Sequence, residues 1–139
     1  MKDSAKVFID TNILVYGFYG LPTPKETVVA LFKSQTEPAI ISIQVLKEFT
    51  NASIRKKLYK SREELNSYLI NIRSSFFVSE ITLETILDAL DLGEEYRYSF
   101  YDSLIIATAL QSGCTILYSE DMQHEQIIRK KLKIINPFK

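Results

Sequence analysis

The sequence predicts an α/β fold: a mostly parallel central sheet of about four to five strands, flanked by helices on both sides. Three observations predict it. Short apolar runs rich in β-branched residues alternate with longer segments of helical period. The helical segments open on Ser or Thr caps, several with an acid three residues on. Acids follow two of the apolar runs, where open parallel sheets bind their ligands. The 139 residues suit one domain over 1–139, long enough to bury a core without staples.

Lys6 to Ile9 (KVFI) reads as a buried strand ending against Asp10. Thr23-Pro24-Lys25-Glu26 is a helix start: Thr caps, Pro suits the first turn, and Glu completes a capping box. That helix should run to about Lys33. Ala39 to Ile41 is a second buried strand, and Ser42 caps a helix to about Leu58. Ser61 and Glu64 form another capping box, opening a helix to about Ser74. Phe76 to Val78 makes a short strand. Thr82 caps a helix whose Leu83, Ile86, Leu87 and Leu90 recur at helical spacing. Ser99 caps a helix apolar on nearly every side, through Leu104, Ile105, Ala109 and Leu110, so it should be central and buried. Gly113 stops it. Cys114 to Tyr118 is a strand, Met122 to Lys131 a helix, and Leu132 to Ile135 a last strand before Asn136-Pro137.

Composition narrows the classes. Basic and acidic residues balance at 17 each, so no overall positive charge grips a polyanion. The basic residues are nevertheless clustered, at Arg55, Lys56, Lys57, Lys60 and Arg62, and again at Arg129, Lys130, Lys131 and Lys133. No run approaches the roughly 18–20 apolar residues of a membrane span. The first residues lack the pattern of a secretory signal. The single cysteine, Cys114, forms no internal disulfide and fits a reducing, cytoplasmic setting.

Four carboxylates carry the chemistry. Asp10 directly follows the first strand, and Asp121 lies just past the strand ILY. Asp102 begins the buried helix, and Glu48 sits about one and a half turns into the helix after the second strand. Three of them have plain structural roles available: an Asx-turn for Asp10, the first turn after the Ser99 cap for Asp102, and an N-cap for Asp121. Glu48 is different. It shares one helix face with Val45, Phe49 and Ala52, so its charge borders an apolar stripe with no basic partner on that face. Clustered acids repel one another, and a hard divalent cation, Mg²⁺ or Mn²⁺, would relieve that repulsion. Zinc is disfavoured: His124 and Cys114 are the only soft ligands, without paired spacing, and His124 reads as a surface helix residue. Neither a nucleophile elbow nor a Gly-rich phosphate loop is present.

Val-Phe-Ile-Asp-Thr-Asn, Ser-Ile-Gln-Val-Leu-Lys-Glu-Phe, Tyr-Asp-Ser-Leu-Ile-Ile-Ala-Thr-Ala-Leu-Gln-Ser-Gly-Cys and Leu-Tyr-Ser-Glu-Asp-Met stand in this order. Together they resemble the PIN-domain family, and more narrowly the toxin component of VapBC-type toxin–antitoxin pairs. The resemblance spans Val7 to about Phe138. It implies metal acids at Asp10, Glu48, Asp102 and Asp121, with Ser119 as the hydroxyl near the metal and Asn12 as the polar residue after the first acid. It also implies cleavage of single-stranded RNA, a homodimer and a cognate antitoxin. Many relatives carry a further Asp beyond the fourth acid. Here that stretch reads Met122-Gln123-His124-Glu125, and Glu120 stands beside Asp121 as a rival for the fourth position.

These readings converge on an endoribonuclease working through metal-activated water. The basic clusters would steer the phosphate backbone, and Tyr16, Tyr19 and Tyr59 are candidates for stacking on bases. Two alternatives stand beside it. A non-catalytic RNA- or partner-binding module on the same scaffold would be expected to have lost an acid. An aspartyl-phosphate phosphatase using Asp10 would want a second acid at position 12, which is Asn.

Overall fold

The computed structural model describes residues 5–20 and 25–139. The expected cap at Thr23 and Pro24 lies outside the described residues. In chain order the elements are β1 (Val7–Ile9), α1 (Thr11–Tyr19), α2 (Lys25–Lys33), β2 (Ile40–Ser42), α3 (Ile43–Arg55), α4 (Arg62–Ser75) and β3 (Phe77–Ser79). Then come α5 (Leu83–Tyr96), α6 (Phe100–Gln111), β4 (Ile116–Tyr118), β5 (Ile127–Ile128) and β6 (Leu132–Ile135).

The strands form one sheet in the order β3-β2-β1-β4-β6-β5, parallel except for β5 against β6. The sixth strand, β5, is one more than the alternation of signals indicates. Every residue of β1 and β2 is buried, as strands covered on both faces require. From β1 the chain moves to β2 and β3 on one side, then returns past β1 to β4 on the other. The strand order therefore reverses between β1 and β4, and their carboxyl ends flank the crevice where such sheets bind ligands. The register Ile9 opposite Tyr118 sets Asp10 and Ser119 side by side at that edge.

The caps behave as their residue types dictate. Ser42, Ser61, Thr82 and Ser99 accept from the backbone N–H of Val45, Glu64, Thr85 and Asp102. The buried helix α6 lies where its all-round apolar character requires, with Ser103 through Ala109 out of solvent. The α5 residues that face the core are Thr85, Ala89 and Leu92. Its apolar series Leu83, Ile86, Leu87 and Leu90 lies exposed.

Two segments depart from the sequence reading. Thr11 to Tyr19, which carries no helix signal, forms α1. Its β-branched, aromatic and glycine residues have poor helix propensity, but Ile13, Leu14, Val15, Tyr16 and Gly17 are buried, and that packing decides. Gly17 is needed there, because a Cβ would come within 2.6 Å of the Phe32 ring on α2. The second segment is Met122 to Lys131, expected to be a helix. It is instead a run of turns leading into the β5–β6 hairpin. Glu125, Arg129 and Lys130 all adopt positive φ, which a helix forbids. The Ile134 carbonyl accepts from Glu125 N–H, and Ile134 N–H donates to the Gln126 carbonyl. His124 is accordingly not on a helix: it is half-buried, and its Nδ1 accepts from the Asn136 backbone N–H at 2.9 Å. No helix among the described residues is long and apolar enough to cross a membrane.

Candidate active site

The crevice at the carboxyl ends of β1 and β4 has a volume of about 270 Å³ and is lined by Asp10, Thr11, Asn12, Glu48, Asn51, Ala52, Arg55, Lys56, Asp102 and Asp121. All four acids singled out from the sequence meet there. They come from four separate segments: the end of β1, the middle of α3, the first turn of α6 and the loop after β4.

Each acid is held by a neutral group. Asp10 caps α1, accepting from Thr11 N–H at 2.7 Å, and its other oxygen accepts from the Ser119 hydroxyl at 2.8 Å. This is an N-cap rather than an Asx-turn onto Asn12. Glu48 accepts from the Thr11 hydroxyl at 2.6 Å and from the Gln44 amide at 3.1 Å. Asp121 accepts from the Asn12 amide at 2.9 Å. With no helix after it, Asp121 has no N-cap duty. Asp102 sits in the first turn behind the Ser99 cap, so its structural position and its place in the crevice coexist. Ser119 is fully buried behind Asp10.

Glu120 does not line the crevice. Its carboxylate faces the Tyr16 hydroxyl, whose phenol is pushed up first by burial and then by that acid. Thr11 and Gln44 carried no signal in the sequence reading. Gln44 could have been found one helical turn before Glu48, the spacing at which an amide reaches an acid. The tyrosines considered for base stacking are otherwise engaged. Tyr16 is core, against Phe138. Tyr19 stacks on Phe49 and donates to Ser53, and Tyr59 is half-buried against the core.

The electrostatics follow from burial. Asp10 is 8% exposed. Desolvation pushes its carboxyl up to about 6, the Thr11 and Ser119 hydrogen bonds pull the other way, and Asp102 and Glu48 add repulsion. Asp102 is raised too, first by burial, then by Asp121 and Glu48, with Ser99 opposing. The acids therefore sense one another's charge. Among the described residues, no three His, Cys, Asp or Glu side chains are gathered as a ready-made cage for an ion. The lining offers oxygen donors and neither His nor Cys, which selects a hard cation.

The reversed strand order and the crevice define an α/β protein with an acid-lined cleft at the switch point of the sheet. The chain belongs to the PIN domain family, whose model matches residues 7–130. No curated protein sequence matches it. Solved structures with the same fold include a toxin–antitoxin complex from Klebsiella pneumoniae, 19% identical with a TM-score of 0.72, covering 96% of this chain and 98% of that one. The VapC20 toxin of Mycobacterium tuberculosis, described as cleaving the sarcin–ricin loop, is 21% identical with a TM-score of 0.68, covering 84% of this chain and 90% of that one. VapBC2 from Rickettsia felis, solved on a DNA fragment from its promoter, is 20% identical with a TM-score of 0.67, covering 92% and 96%.

Proposed function

We propose that this chain is a divalent-metal-dependent endoribonuclease that cleaves single-stranded regions of RNA, and that it is the toxin of a toxin–antitoxin pair. The observation that carries the reading is the convergence of Asp10, Glu48, Asp102 and Asp121 on one crevice at the switch point. Membership of the PIN domain family and the RNA target named for VapC20 support it.

Asp10, Glu48 and Asp102 would hold the ion, Mg²⁺ or Mn²⁺. When bound, it supplies positive charge to the phosphate and makes water acidic enough to attack. The chain's own residues set the geometry. Thr11 N–H and the Ser119 hydroxyl fix the Asp10 carboxylate, and lone pairs remain on it for a further partner. Thr11 and Gln44 fix Glu48 from both sides. Asp121, held by Asn12, would help orient the ion or the attacking water. Cleavage of an RNA panel with Mg²⁺, Mn²⁺ or EDTA tests the reading. Activity that persists in excess EDTA would sink it.

The fourth acid has its own test. Asp121 lines the crevice and Glu120 faces Tyr16. Asp121→Asn should therefore cost roughly 10- to 100-fold in cleavage rate, the range typical of groups supporting a metal site. Glu120→Gln should stay near wild type in the same assay. The reverse order would put the fourth position at Glu120.

Partners follow from the same reading. A cognate antitoxin would lay an apolar segment in the groove of Leu46, Ile54 and Leu69, which shares Asn51 with the acid crevice, and set a basic residue toward the acids. A second copy of the chain would cover the exposed α5 stripe of Leu83, Ile86, Leu87 and Leu90. Sedimentation at tens of micromolar should then give a dimer. A strict monomer there, with no inhibitory protein recovered alongside it, counts against both partners.

A further inference from the structure

We propose that Arg55, with Lys56 beside it, grips a backbone phosphate of single-stranded RNA adjacent to the phosphate being cut. The inference rests on the ribonuclease reading and deepens it by separating the substrate's anchor from its reaction centre.

Two basic clusters stand out in the sequence, and the structure treats them differently. Of the first, Arg55 and Lys56 line the acid crevice itself. Both are exposed, and neither side chain makes an ion pair or hydrogen bond among the described residues. The second cluster belongs to the β5–β6 hairpin, whose β5 is the outermost strand of the sheet. Its Arg129 is already committed, at 2.8 Å to Asp88 and 3.9 Å to Glu95. None of its members lines the crevice.

The geometry of α3 gives the anchor its role. Gln44, Glu48, Asn51 and Arg55 succeed one another at helical spacing, so amide, acid, amide and guanidinium form one row. Glu48 and Arg55 are about 10 Å apart along the helix axis, at 1.5 Å per residue. The Arg55 backbone lies about two turns beyond Glu48, so its side chain can meet a phosphate next to the one held at the acids, and a planar fork of donors suits phosphate oxygens. Charge requires such an anchor. The crevice's four acids outnumber its two bases, so these bases are needed to offset the acids' repulsion of an RNA backbone. Arg55 is thus a positioning residue: its loss should weaken binding and leave the chemical step intact.

A plainer role is also open to Arg55, since a cation in the last turn complements the helix dipole. Binding at several salt concentrations separates the two. The probe is a fluorescein-labelled single-stranded RNA of mixed sequence, its anisotropy measured with Mg²⁺ on chains carrying Asp10→Asn to prevent cutting. Adding Arg55→Ala should lower the slope of log affinity against log salt by about 0.7, the value of one single-strand phosphate contact. In the cutting protein, Arg55→Ala should raise KM about 5- to 10-fold with kcat within about twofold. Arg55→Lys should restore the slope, and Lys133→Ala on the hairpin should leave both slope and KM unchanged. An unaltered slope, a fall in kcat at constant KM, or a lowered melting temperature with unchanged binding would each overturn the proposal while leaving the ribonuclease reading standing. Wild-type chain that neither cuts nor binds the RNA would overturn both.

Discussion

Replacing Asp10 by Asn is expected to abolish RNA cleavage and, in EDTA at neutral pH, to raise the melting temperature. The two effects share one cause. Asp10 is a buried acid whose charge is opposed by desolvation and by Asp102 and Glu48. Its folded-state value is about 6 against an ordinary 3.8. Between those values the folded chain binds more protons than the unfolded one, so stability falls as pH rises, and above about 6 the loss is complete. The gap corresponds to at most about 3 kcal/mol, on the order of several degrees in Tm for a chain of this size. Asn keeps the shape: its carbonyl can accept from Thr11 N–H, and its amide can donate to a rotated Ser119 hydroxyl. Melting curves in EDTA across pH 4 to 8 should show the wild type falling and the variant nearly flat, with a residual slope from Asp102. Adding Mg²⁺ should raise the wild-type Tm by mass action and move the variant much less. Cleavage should drop at least ~100-fold, since even groups behind the ligands of a metal site cost up to that much. A variant that cuts at the wild-type rate, or that melts lower than wild type in EDTA at pH 7, would mean that Asp10 is no strained metal acid.

The parts legible in the sequence are those whose cause is local. Ser42, Ser61, Thr82 and Ser99 announce helix starts because an N-cap needs only its own turn. Asp10, Glu48, Asp102 and Asp121 stand out because each follows a strand or a cap, or borders an apolar stripe. The parts that were not legible depend on partners distant in sequence. α1 is a helix because the core covers it and Gly17 lets Phe32 approach, neither of which its own residues reveal. The turn before β6 passes through Arg129 and Lys130 at positive φ, without the Gly or Asn that would have marked it. Of the site's supports, Ser119 is marked by the family resemblance, but its bond to Asp10 depends on the β1–β4 register, and Thr11, unmarked, reaches Glu48 across 37 residues of chain. The α5 stripe has a clear helical period, yet period alone does not say whether solvent, core or another chain covers it.

Products of cleavage are expected to carry a 5′-phosphate on the downstream fragment and a 3′-hydroxyl on the upstream one. Nucleases that work without a metal use the substrate's own 2′-hydroxyl as nucleophile, with paired acid–base groups, most often histidines, moving the protons. This chain has one histidine. His124 is outside the crevice, and its Nδ1 is occupied by the Asn136 backbone N–H, so it is unsuited to that role. The crevice offers carboxylates instead, and carboxylates that bind a divalent ion prepare water as the nucleophile. Attack by water on phosphorus breaks the bond to the 3′-oxygen, which leaves as the hydroxyl, and the phosphate stays with the 5′-oxygen. A 2′-hydroxyl takes no part. A substrate with a single deoxyribose just 5′ of the scissile phosphate should therefore be cut within a few-fold of the all-ribose rate, a loss that recognition of that hydroxyl alone would explain. His124→Ala should likewise keep its activity. Mass spectrometry of the fragments from one defined RNA decides the matter, because a terminal hydroxyl and a 2′,3′-cyclic phosphate differ in mass. A cyclic phosphate on the upstream fragment, or complete resistance of the deoxy-substituted substrate despite normal binding, would show that the RNA supplies its own nucleophile and that the four acids do not activate water.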